Sequence, residues 1–190
     1  MKLIQIIIVL FVALATNVKA DIVLGGRGVV FGEGYVFSLK APGGWMLDSE
    51  SGVGDGFHAV FYPEGSNWKN GIVVCYPQAH EKTAVLMTAD DVAKDRIKDY
   101  RENGSPNYTG ELVKVVKSDH GETARIYHFK NDQWGNIEAV AYFEQRKTIN
   151  YVTMSSRDAR AFTNALSAFD ELVKSYVYIG ESLQSLPRAE

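Results

Sequence analysis

The closing segment of the chain limits its fold more than any other feature. Phe162, Ala165, Leu166, Phe169, Leu172, Val173 and Tyr176 recur at three- and four-residue spacing, which places them on one face of a helix. Ser155 or Ser156 is the expected N-cap, Asp158 falls in the first turn, and Gly180 is the expected C′ residue. A helix with so wide an apolar stripe draws its stability from packing, so it needs a second layer to cover it.

The rest of the sequence offers strands for that layer. Arg27 to Phe31 and Tyr35 to Lys40 are β-rich runs separated by Gly32-Glu33-Gly34, the signature of a hairpin. Trp45 to Leu47 is a short third run. Phe57 to Tyr62 resumes a strand with Phe57, Ala59 and Phe61 on one face, and Ile72 to Tyr76 reads as a central strand. Glu111 to Lys117, Thr123 to Lys130, Ile137 to Arg146 and Thr148 to Met154 form an antiparallel meander. In its third run Ile137, Ala139, Ala141 and Phe143 face one way, and Val140 and Tyr142 the other. A first helix is expected from Thr88, its N-cap, to Asn103, with Asp91 in its first turn. Val92, Ala93, Ile97 and Tyr100 make its narrower apolar stripe. The pattern implies an α+β fold, an antiparallel sheet with helices packed on it.

No intrachain disulfide can help, because Cys75 is the only cysteine. It sits in the apolar run Gly71 to Tyr76 and reads as a buried structural thiol rather than a nucleophile.

The start of the chain reads as a secretory signal peptide. Lys2 gives a positive n-region, Leu3 to Ala15 is apolar apart from Gln5, and Val18-Lys19-Ala20 presents a small-x-small cleavage site. The expected cut lies between Ala20 and Asp21, leaving residues 21–190 as a single domain in the periplasm or secreted. Cleavage removes Lys2 and Lys19 and no acid, which takes the net charge from −3 to −5. An acidic domain argues against a nucleic-acid partner. No stretch after Asp21 is apolar for long enough to span a membrane.

Tyr35-Val-Phe-Ser-Leu-Lys-Ala-Pro42, followed by Gly43-Gly44-Trp45, resembles the opening signature of PsbP-like domains. The closing helix, ending Val173-Lys174-Ser175-Tyr176, is similar to that family's terminal helix. The resemblance implies an αβα sandwich with a central antiparallel sheet. It implies a binding or assembly protein rather than an enzyme, like the extrinsic photosystem II subunit, a GTPase-binding nuclear-import factor and DcrB-type bacterial envelope proteins. The family shares no universal active site, so the resemblance assigns no residue a role. The lipid-attachment cysteine of its lipoprotein members is absent here.

Residues that could carry chemistry are sparse. His58, His80, His120 and His128 show no metal-ligand spacing. Asp48, Glu50 and Asp55 share a glycine-rich loop without an EF-hand pattern. Gly25-Gly26-Arg27-Gly28 opens no helix and makes no phosphate loop, and no G-x-S-x-G elbow surrounds a serine. No catalytic residue, metal site or cofactor is therefore assigned. Trp68, in Gly65 to Gly71, and Trp134, in Asn131 to Asn136, are the candidate contact residues, because large rings in polar loops often mark contact surfaces. The expected role is a non-catalytic extracytoplasmic binding or assembly module, with a protein or a cell-envelope component as partner. The alternative is a small extracytoplasmic enzyme, such as a hydrolase, whose residues meet only in three dimensions.

Overall fold

The computed structural model describes residues 22–185; the signal segment and its cleavage site lie outside them. In chain order the strands and helices are β1 (Ile22–Leu24), β2 (Arg27–Gly32), β3 (Tyr35–Lys40), β4 (Trp45–Asp48), β5 (Val60–Pro63), β6 (Val73–Glu81) and α1 (Ala89–Glu102). There follow β7 (Thr109–Lys117), β8 (Thr123–Lys130), β9 (Ile137–Glu144), β10 (Thr148–Ser156), α2 (Ala159–Lys174) and β11 (Val177–Gly180).

Among the described residues one antiparallel sheet has eight strands in the order β1-β4-β5-β6-β10-β9-β8-β7. A three-stranded sheet, β11-β3-β2, lies beside it. Strand β10 is the central girder. It pairs with β6 from Thr148↔Glu81 to Ser156↔Val73, and with β9 from Ile149↔Glu144 to Ser156↔Ile137.

Alternation along the strands sends side chains to two different cores. Cys75, Ile126, Ala139, Ala141, Phe143, Val152 and Met154 meet α2 and the small sheet, whose Phe37 and Leu39 are fully buried. Their neighbours Tyr127, Phe129, Val140, Tyr142 and Ile149 face the other way, toward Ala89 and Ala93 of α1. The architecture is α+β, with α1 on one face of the large sheet and α2 with the small sheet on the other.

The expected start of the closing helix is corrected. Strand β10 runs on through Ser155 and Ser156, and Asp158 is the N-cap, accepting from the Ala161 N–H at 2.7 Å. Ser156 instead braces that cap, its Oγ accepting from the Asp158 N–H at 3.0 Å. Gly180 ends β11 rather than the helix. Tyr176 falls just past α2, yet it stacks on Phe143 with centroids 3.7 Å apart, so it belongs to the core as expected.

The strand around Phe61 is also shorter than expected. It begins at Val60, and Phe57 lies before it, packed on Tyr76 rather than beside Ala59 and Phe61. Strand β6 is longer than expected, passing through Pro77. Strand β5 pairs with it at Phe61↔Cys75, so beyond Cys75 one side of β6 has no strand partner among the described residues and a missing N–H is tolerated. The α1 boundaries agree with the sequence. Thr88 and Asp91 form a reciprocal capping box, and Asn103 closes the helix.

Candidate functional site

The α1 face of the sheet is polar where the α2 face is apolar. Glu138 on β9 lies 4 % exposed between α1 and the sheet. The Arg96 guanidinium of α1 pairs with its Oε2, and Arg96 Nε donates to the Tyr108 hydroxyl at 2.8 Å. The Tyr108 and Tyr76 hydroxyls donate to Glu138 at 3.3 and 3.4 Å. The guanidinium also lies 4.9 Å from the Phe129 ring centroid and 5.2 Å from that of Tyr100. Burial disfavours the Arg96 charge, but attraction led by the Glu138 carboxylate outweighs it and holds the group above its ordinary pKa. Burial, chiefly, pushes the Tyr76, Tyr108 and Tyr142 phenols up, so they stay neutral.

The two candidate tryptophans flank this cluster. Trp134 is 56 % exposed. Its loop is clamped from inside by Asp132, whose Oδ1 accepts from the Trp134 and Asn136 N–H groups at 3.1 and 2.7 Å. Asp132 Oδ2 accepts from Asn136 Nδ2 at 2.7 Å, and the Gln133 N–H reaches Ser105 Oγ at 3.0 Å. The Trp134 ring stands edge-on to Tyr100 of α1, centroids 6.3 Å apart. Trp68 is half-buried. Its indole N–H donates to Asp55 Oδ2 at 2.7 Å, and its ring packs edge-on against Phe57 and Tyr76. Tyr76 reaches Glu138, and Glu138 reaches α1, so both tryptophans lie on the α1 side of the sheet.

Beside Trp68 opens a cleft of about 880 Å³, between the Trp68 loop, the end of β10 and the start of α2. Lys69, Asn70, Asn136 and Arg157 are among its walls. The lining includes no histidine or cysteine. Of its carboxylates, Asp55 accepts from the Trp68 indole and Asp158 from the Ala161 N–H, each through one oxygen. Such walls can hold and orient a polar ligand.

The remaining sequence candidates are dispersed. His58 stacks on Phe31, His128 packs edge-on to Phe162, and His120 is exposed in the β7–β8 turn. Among the described residues no group of three or more His, Cys, Asp or Glu side chains could hold a metal ion. Asp48 does not converge with Asp55. It is buried, accepting from the Glu50 and Ser51 N–H groups and the Tyr62 hydroxyl. Cys75 is wholly buried, and burial pushes its thiol up. Among the described residues no helix is long and apolar enough to cross a membrane.

Sequence reasoning passed over Arg96, Glu138, Asp132 and Arg157. Glu138 carried a readable signal. It shares the inward face of β9 with Val140 and Tyr142, and a charge at such a position demands a partner.

With α1 on one face of a central antiparallel sheet and α2 on the other, the fold is PsbP-like, as its similarity to a solved PsbP structure shows. Among solved structures, cyanobacterial PsbP (CyanoP) from Synechocystis sp. PCC 6803 is similar with a TM-score of 0.51 and 16% identity, over 82% of this chain and 94% of that one. The Ran-binding protein Mog1p of Saccharomyces cerevisiae aligns with a TM-score of 0.47 and 12% identity, over 80% of this chain and 95% of that one. No protein-family model and no curated protein matches the sequence.

Proposed function

We propose that this protein is a non-catalytic binding or assembly module that acts outside the cytoplasm, periplasmic or secreted. Its partner is a protein or a cell-envelope component, and Trp134, with Trp68 beside it, supplies contact surface. The observation that carries this reading is Trp134 itself. A large ring stands more than half exposed on a loop held stiff by a buried aspartate, so little ordering entropy is lost on contact. The PsbP-like fold supports the binding class, and the apolar run Leu3 to Ala15 followed by the Val18-Lys19-Ala20 site supports export.

The test is capture of partners from the native envelope fraction, with Trp134→Ala beside the wild type. The variant is expected to melt normally and to lose about 2 kcal/mol or more of partner affinity. Normal melting with full recovery of every partner contradicts the reading. Intact-mass analysis of the exported protein is expected to begin at Asp21.

A further inference from the structure

We infer that Asn70 is a site of self-modification, where the side-chain amide is lost through a cyclic imide and a carboxylate takes its place in the wall of the cleft. This goes beyond the Trp134 reading, which survives or fails separately.

The chemistry needs an asparagine followed by a residue whose backbone nitrogen is open to approach. Glycine provides that nitrogen, because no Cβ stands beside it. Two Asn-Gly pairs lie among the described residues, Asn70-Gly71 and Asn103-Gly104. Both asparagines are exposed, so access of water does not separate them. Their hydrogen bonds do. Asn103 Nδ2 donates to the Asp99 backbone oxygen and to Asp99 Oδ1, both at 2.9 Å. The Asn103 carbonyl accepts from Gln133 Nε2 at 3.2 Å. The group that must leave and the peptide group that must turn are therefore both tied. Asn70 is held through its backbone N–H, which donates to Asn67 Oδ1 at 2.9 Å. Among the described residues neither its side-chain amide nor the Gly71 N–H has a hydrogen-bond partner.

The fold also keeps the glycine in place. A Cβ at residue 71 would stand 2.6 Å from the Asn67 carbonyl oxygen and 3.0 Å from Ser66 Oγ, so this turn has no room for a side chain there.

The reaction balances with water alone. The Gly71 nitrogen gives its proton to solvent and bonds to Asn70 Cγ. The Cγ–Nδ2 bond breaks, and the nitrogen takes up a proton and leaves as ammonia. Water then opens the imide at one of its two carbonyls. One opening gives aspartate, and the other gives isoaspartate, with an extra methylene in the main chain. Either product adds a carboxylate to a cleft whose walls include Trp68, Lys69 and Arg157. The aged protein then carries one more negative charge there than the newly made one.

The test is peptide mapping by mass spectrometry of the purified exported protein, aged at neutral and at mildly alkaline pH, with enzymatic methyl labelling of isoaspartate. Asn70 is expected to convert at least about tenfold faster than Asn103, whose amide must first leave two acceptors. The rate is expected to rise with pH, because the attacking nitrogen must lose its proton. Asn70→Ser is expected to melt as the wild type does and to lose the label. Asp99→Ala is expected to speed conversion of Asn103 and to leave that of Asn70 unchanged. Asn103 converting as fast as Asn70 removes the part played by the hydrogen bonds and overturns the inference. An Asn70 that stays intact in the folded protein while the urea-unfolded chain converts there means the turn locks the amide, and also overturns it. A full yield of label in Asn70→Ser puts the reaction elsewhere in the chain, with the same consequence.

Discussion

The two faces of the large sheet are built from different materials. Under α2 the contacts are Phe169, Leu172, Val173, Met154, Ile126 and Phe143, with several alanines among them. Under α1 they are Tyr108, Tyr127, Tyr142 and Phe129 around a buried arginine–glutamate pair. The α2 face draws stability from apolar area removed from water. The pair under α1 adds little net stability, because the desolvation of two charges offsets their attraction. What it supplies is position. Arg96 can meet Glu138, Tyr108 and the Phe129 ring in one placement of α1, and that placement sets Tyr100 behind Trp134. One face holds the molecule together, and the other holds a surface in shape.

Four experiments can break or sharpen this contrast. The largest effect is expected from Phe169→Ala, which empties the middle of the α2 core and loses about 3–5 kcal/mol in urea unfolding. A loss under about 1 kcal/mol would deny that face its role. Arg96→Met alone is expected to cost about 3–5 kcal/mol, since it strands the Glu138 carboxylate among tyrosines. The double variant Arg96→Met with Glu138→Leu is expected to return to within about 1 kcal/mol of wild type while α1 loses its fixed placement, read from Tyr100 and Trp134 resonances. A double variant as unstable as the single one would show that the pair carries stability after all.

Capping gives a smaller effect on both sides. Asp158→Ala and Thr88→Ala each remove a side-chain acceptor from a helix N-terminus and are expected to cost about 1 kcal/mol, read as shifts in urea midpoint.

The smallest effect concerns His128, half-buried on the α2 face. Burial chiefly, and Lys114 in addition, hold its pKa below the ordinary value, against the pull of Glu111 and Asp170. The unfolded state therefore binds the proton more readily than the folded one. Its contribution is present above about pH 6.5, the unfolded value, and is lost as pH falls through the folded value. Urea midpoints at pH 7 and pH 5 should draw together in His128→Gln, and an unchanged difference would place the pH dependence elsewhere.

The contrast between the faces also explains what was legible in the sequence. The α2 stripe is apolar throughout, so spacing alone reveals it, and the alternation of β9 reveals both sides of the sheet. The ends of α1 were legible because Thr88, Asp91 and Asn103 are local signals. The capping of α2 was not, because β10 continues through serines that look like caps. Strand β11 follows α2 within three residues and is too short for a period to show. The polar cluster joins Arg96 to Glu138 across 42 positions, and no local pattern records such a pairing. Trp68 and Trp134 could be named from their loops, but their common side depends on strand order, which local spacing does not encode.

The most direct test of the division between faces is amide hydrogen exchange of the wild-type protein, free and with the partner captured from the envelope fraction. Binding is expected to slow exchange in Asn131 to Asn136 and along α1, and to leave α2 and β11 unchanged. Protection confined to α2, β11 and the small sheet, with the Trp134 loop exchanging as in the free protein, would contradict the account.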